Sequence, residues 1–96
     1  MADYILSERA ALDIEELADY GLSNFGVLRS REYGNGLEAC LTQLTVSPLI
    51  GLGADELADG VRRYLYKSHW IFYVQRTGGI RVVRVLQKNM DFVRHL

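Results

Sequence analysis

Residues 61–96 read VRRYLYKSHWIFYVQRTGGIRVVRVLQKNMDFVRHL. Three runs rich in β-branched and aromatic residues, 62–66, 69–75 and 80–86, are separated by Lys67-Ser68 and by Thr77-Gly78-Gly79. Short apolar runs with turn residues between them are the pattern of antiparallel hairpins. The stretch predicts a three-stranded meander with a polar tail. Everything before it then becomes the cover for one face of that sheet.

Working back to the N-terminus, residues 3–7 form a short strand candidate. Ser7 can cap a following helix through its hydroxyl, and Glu8 suits the positive end of the helix dipole. Ala10, Ile14, Leu17, Gly21 and Phe25 recur at three- and four-residue steps, so this helix buries one side. Gly26 is its natural stop, because glycine takes the left-handed conformation without steric cost. A second helix is expected over 27–45, with Tyr33, Leu37, Cys40, Leu41 and Leu44 as its apolar stripe. Gly34 and Gly36 weaken it by about 1 kcal/mol each, and close approach of the two helices is the expected reason for them. Pro48 ends it. Residues 47–60 form the longest connection, pinned by Leu49, Ile50, Leu52 and Leu57. The order is strand, helix, helix, three strands. This predicts an α+β fold, β-α-α-β-β-β, with a helical hairpin on one face of a small antiparallel sheet.

The 96 residues are enough for one core and one domain, 1–96. No apolar run approaches the roughly 20 residues of a membrane span, and the N-terminus lacks a secretory pattern. The single Cys40 cannot form an internal disulfide, so a cytoplasmic location is expected. Charge is divided unevenly. Residues 1–60 carry three bases against eleven acids, a balance of −8, and residues 61–96 carry eight bases against one acid, +7. A basic sheet beside acidic helices implies either an acidic partner or complementarity between the two halves.

Side chains alternate across a strand. With both hairpins tight, Arg62 lies opposite Tyr73 and Tyr73 opposite Arg84, on a face shared with Tyr64, Tyr66, Ile71, Val82 and Leu86. The other face holds Arg63, Leu65, Trp70, Phe72, Val74, Val83 and Val85. The second set is more apolar and is expected to meet the helices. A one-residue slip would exchange the faces.

Enzyme signals are sparse. His69 and His95 have no carboxylate or histidine at metal-ligand spacing, and Gly34-x-Gly36 and Gly51-x-Gly53 lack the setting of a phosphate loop. No metal or cofactor is expected. Arg62, Tyr73 and Arg84 could bind a phosphodiester, but cleavage also needs a tuned acid and base, and no histidine falls in that row.

Several patches together resemble a known family. Tyr4-Ile5-Leu6-Ser7 with Ala10, Asp13-Ile14-x-x-Leu17, and Leu44 with Pro48 match its first half. Gly60-x-Arg62, His69-Trp70-Ile71-Phe72-Tyr73 and Ile80-Arg81-Val82-Val83-Arg84-Val85-Leu86 match its sheet, and Met90-Asp91-x-x-Arg94-His95-Leu96 matches its ending. The chain is similar to ParE-type toxins of the RelE/ParE superfamily, from bacterial type II toxin–antitoxin pairs. The resemblance implies a ParD-like antitoxin partner in a hetero-oligomer of 2:2 or higher, with DNA met only through the antitoxin and no membrane. RelE-like members cut mRNA on the ribosome, whereas ParE-like members act on DNA gyrase without being nucleases. Many members carry histidine or tyrosine just after the last strand, where this chain has Gln87, which can neither titrate nor supply a proton. The expected function is therefore a non-catalytic gyrase inhibitor. The alternatives are a ribosome-dependent ribonuclease and an inactive homologue that only forms an antitoxin-bound regulatory complex. Arg62, Tyr64, Tyr66, Ile71, Tyr73, Arg84 and Leu86 are expected to contact the antitoxin. Lys88, Met90, Asp91, Arg94 and His95 of the tail are expected to contact the target.

Overall fold

The computed structural model describes residues 3–90. In chain order the elements are β1 (Asp3–Leu6), α1 (Glu8–Val46), β2 (Leu52–Gly53), β3 (Val61–Tyr66), β4 (His69–Arg76) and β5 (Gly79–Gln87). Ser7 is extended, and its hydroxyl accepts from the Ala10 N–H at 3.0 Å, with Glu8 in the first turn. This satisfies one of the orphan donors of the helix start. At Gly26 the backbone leaves the helical region (φ 85, ψ 174), which divides α1 into two arms, 8–25 and 27–46. The arms double back on each other: the Ser30 hydroxyl lies 3.4 Å from the Ala18 carbonyl. Their close approach is at Gly21, where a Cβ would sit 3.2 Å from Ser30 Oγ. The glycines expected to serve this contact do something else. Gly36 makes room for the Tyr66 hydroxyl of the sheet, and nothing lies within 4 Å of a Cβ at Gly34.

The sheet has five strands in the order β1-β5-β4-β3-β2. It is mixed rather than purely antiparallel, because β1 pairs parallel to β5, from Asp3↔Gly79 to Leu6↔Val82. Gly79 permits this pairing. Its φ is 154°, and a Cβ there would run into the backbone of Asp3. The 47–60 connection supplies the two-residue β2, paired to Arg62 and Arg63.

Arg62 lies opposite Tyr73 as expected. Beyond that, a bulge between Phe72 and Tyr73 changes the register: Tyr73 faces Val82, and Phe72 faces Arg84. The extra residue turns the rest of β5 over. The main core lies between the arms and the sheet, where Ala10, Leu37, Leu41 and Leu44 meet Ile71, Tyr73, Ile80, Val82 and Val85, with Tyr64 and Tyr66 packed alongside. The helices thus cover the tyrosine-rich face that was expected to be open.

A tyrosine face can be buried when each hydroxyl finds a partner. The Tyr73 hydroxyl donates to the Pro48 carbonyl at 2.8 Å and accepts from the Gly51 N–H at 3.0 Å. The Tyr66 hydroxyl donates to the Tyr33 carbonyl at 3.1 Å. Arg62 is also committed to the fold, donating to the Gly51 carbonyl at 2.7 Å. On the opposite face a smaller cluster forms from Ala54, Val61, Phe72 and Leu86, with Leu57, Trp70, Val74 and Val83 against it. There the Arg63 guanidinium stacks 4.7 Å from the Trp70 ring. Among the described residues, no helix is long and apolar enough to cross a membrane.

Candidate functional site

The two arms of α1 overhang the end of the sheet where β4 begins and β5 finishes. Beneath them is a groove of about 1030 Å³. Leu12, Leu17, Tyr20 and Phe25 line it from the first arm, and Arg29 and Tyr33 from the second. His69, Arg84, Leu86, Gln87 and Met90 line it from the sheet end. Clefts of this size with apolar walls and a few polar groups are the usual form of a binding site.

Arg84 is a buried charge among the groove residues, and it is already paired. Its Nε donates to Asp13 Oδ2 at 2.8 Å and its Nη2 to Asp13 Oδ1 at 2.9 Å. The Val85 N–H adds a third bond to Oδ2 at 3.0 Å. Both side chains are almost fully buried. The hydrogen bonds to Asp13 raise the guanidinium pKa, outweighing burial, so Arg84 stays charged. The bulge makes the pairing possible by re-aiming β5 toward the first arm. Ser7 fastens the same edge, with its hydroxyl on the Val83 carbonyl at 2.7 Å and its N–H on the Val82 carbonyl at 2.9 Å.

His69 is the second polar group. It is half-buried at the start of β4, and its Nδ1 shares a 2.5 Å hydrogen bond with the Tyr33 hydroxyl. Burial lowers the His69 pKa and raises that of Tyr33. Both shifts favour the neutral pair, so the phenol donates to an unprotonated Nδ1. The rings of Tyr33 and Tyr66 meet edge to face at 5.0 Å, and those of Tyr33 and His69 at 5.6 Å. This cluster therefore fixes the second arm to the β3–β4 turn. Gln87 completes the floor without a titratable group. Among the described residues, no group of His, Cys, Asp and Glu could hold a metal ion.

The residues singled out from sequence are dispersed by this geometry. Arg84, Leu86 and Met90 line the groove. Ile71 and Tyr73 are fully buried under the arms, Tyr64 and Tyr66 are half-buried beside them, and Arg62 is tied to the 49–51 backbone. Lys88 is exposed just past β5, its N–H on the Ser68 carbonyl at 2.9 Å. Asp91, Arg94 and His95 lie outside the described residues. The role of Asp13 was not foreseen, since its partner is 71 positions away and no local pattern announces the pair. Of the two readings of the charge division, this ion pair is an instance of internal complementarity.

Comparison with known proteins agrees with this architecture. The family described as "ParE toxin of type II toxin-antitoxin system, parDE" matches residues 4–92. Toxin ParE1 of Mycobacterium tuberculosis is 36% identical over 94 residues, covering 97% of this chain and 96% of that protein. Toxin ParE1 of Caulobacter vibrioides is 32% identical over 97 residues, covering 100% and 99%. A solved structure described as "Chromosomal ParDE TA system from P. aeruginosa" superposes with a TM-score of 0.73 at 17% identity, covering 91% of this chain and 96% of that one. The match over nearly the whole length, on an arm-and-sheet fold of the same kind, means that this chain belongs to the ParE toxin family of type II toxin–antitoxin systems.

Proposed function

We propose that the chain acts in the cytoplasm by binding DNA gyrase rather than by cutting nucleic acid, and that a ParD-like antitoxin silences it by filling the groove under the arms. The observation that carries the first half is the Asp13–Arg84 pair. A guanidinium held at both ends of its fork by a buried carboxylate has little to offer a phosphodiester. Beside it, Gln87 cannot act as acid or base, and His69 and Tyr33 are engaged with each other. The groove's buried cation and its histidine are thus both engaged within the fold rather than poised for the acid–base steps of RNA cleavage.

The family's description as one half of a toxin–antitoxin pair supports an antitoxin partner. The groove offers that partner apolar walls at Leu12, Tyr20 and Phe25 and cationic rims at Arg9, Arg29 and Lys67. An amphipathic segment with acidic flanks fits this chemistry. Arg84 and Leu86 are the members of the expected antitoxin set that line the groove. Assembly as a 2:2 or larger hetero-oligomer is part of the same reading. For the gyrase contact we keep the C-terminal set, Lys88, Met90, Asp91, Arg94 and His95. Truncation after Gln87 is its test: the shortened protein should stay folded, bind antitoxin and lose toxicity.

Purified toxin incubated with ribosomes and mRNA should give no new cleavage ends, and in a parallel reaction it should inhibit gyrase supercoiling. Site-specific cuts abolished by Arg84→Ala would replace this reading with the ribonuclease one.

A further inference from the structure

The hairpin between β3 and β4 turns through two residues, Lys67 and Ser68. Lys67 has a φ of 52°, and glycines apart it is the one residue with a positive φ among those described. The left-handed region strains an L side chain, and turns that need it usually carry Gly, Asn or Asp. A lysine kept there implies a task for its side chain.

That side chain has a defined place. Its Nζ lies 5.6 Å from the ring centre of Tyr33 and 5.6 Å from that of Tyr66. One ring belongs to the second arm and the other to β3, and they meet edge to face, so the ammonium sits over the seam between arm and sheet. Both phenols are engaged elsewhere, Tyr33 with His69 and Tyr66 with the Tyr33 carbonyl, and burial raises both their pKa values. The rings are therefore neutral. They attract the cation without cancelling its charge. Among the described residues, neither a carboxylate nor another acceptor binds Nζ. Lys67 is exposed and lines the groove. Of the other groove cations, Arg84 is closed off by Asp13, Arg29 lies 5.9 Å from the Phe25 ring, and Arg9 has no ring contact to hold it.

We propose that Lys67 is the seat for one carboxylate of the antitoxin, either an Asp or Glu side chain or the C-terminal carboxylate. The two rings hold the ammonium in place before the partner arrives, and the partner supplies the charge that the fold withholds. This inference rests on the reading that the antitoxin fills the groove. It adds the residue that fixes the register of the bound segment.

Calorimetric titration of the full chain with its cognate antitoxin tests this. Lys67→Asn keeps a residue that tolerates the left-handed turn. It should raise the dissociation constant about tenfold or more, and the difference should narrow as salt rises. Its melting temperature should be no lower than the parent's, because strain is removed with the lysine. In the antitoxin, each acid of the toxin-binding segment is changed to its amide, and separately the C-terminal carboxylate is amidated. One of these changes should weaken binding to the parent toxin and leave binding to Lys67→Asn unaltered. Which one does so tells a side chain from the chain end. If no antitoxin carboxylate is coupled to Lys67, or if Lys67→Asn binds as the parent does, the proposal is overturned. A variant that binds normally but melts lower would show that the lysine only fastens the hairpin to the arm. Leu12→Asp, on the apolar wall of the groove, keeps the two readings apart. If it weakens binding and Lys67→Asn does not, the groove stands and the carboxylate seat falls. If it leaves binding unchanged, the groove reading fails and this proposal fails with it.

Discussion

Removing the Asp13 carboxylate should cost this protein a large part of its stability. Asp13 and Arg84 side chains are 9% and 8% exposed, and the carboxylate accepts from Nε, Nη2 and the Val85 N–H. Asp13→Ala leaves a buried guanidinium and a buried amide without that acceptor. Removing one partner of a buried pair costs about 3–5 kcal/mol. Alanine returns roughly 0.5 kcal/mol through helix propensity. A domain of this length has a total stability of about 5–14 kcal/mol, so the loss is severe but survivable. With a urea dependence of about 1–3 kcal/mol per molar, the midpoint should fall by at least about 1 M. Urea unfolding followed by Trp70 fluorescence at pH 7 measures it. Asp13→Leu combined with Arg84→Leu should recover most of the loss, because apolar replacement of a buried ion pair is often neutral. A single variant with an unchanged midpoint, or a double variant no better than the single, would refute the view that this pair welds the first arm to β5.

Further expectations concern other contacts. Gly34→Ala should raise the melting temperature, worth up to about 1 kcal/mol, since a Cβ there meets nothing within 4 Å. Gly36→Ala, two residues on, should lower it by about 1–3 kcal/mol because the Cβ collides with the Tyr66 hydroxyl. Differential scanning calorimetry of the two variants separates these signs. Tyr73→Phe leaves the Gly51 N–H and Pro48 carbonyl without their side-chain partner and should cost about 1–3 kcal/mol, again by calorimetry. His69 has a folded pKa below its ordinary 6.5, chiefly because it is buried. The unfolded chain therefore takes up a proton below pH 6.5 that native His69 resists, and stability falls as pH drops from 6.5 through the folded value. Chemical denaturation from pH 8 to pH 5 should show that His69→Gln loses less stability across this window than the parent does.

How much was legible from sequence depended on whether the deciding contact was local. Ser7 as cap, Gly26 as the break between arms and the turns at Lys67-Ser68 and Thr77-Gly78 rest on neighbours within a few positions, and all were readable. The sheet faces were not. Their assignment assumed unbroken alternation, and one extra residue in β5 reversed it beyond Tyr73. Aromatic and basic residues also read as an open surface because their partners are distant: Tyr73 finds Pro48 and Gly51, and Arg84 finds Asp13. The parallel place of β1 was hidden for the same reason, since only the double glycine at 78–79 hints that another backbone comes so close.

That place of β1 governs the order in which the protein can be made. β1 pairs with β5, Asp3 against Gly79, although α1, β2, β3 and β4 are synthesised between them, and both arms pack on Ile80, Val82 and Val85. A chain still held by its ribosome has the arms but not the surface they cover, and its first strand has no neighbour. Closing a loop this long sets the pace of folding. Any partner that recognises the finished groove, floored by Arg84 and Leu86, has to wait until β5 has been joined.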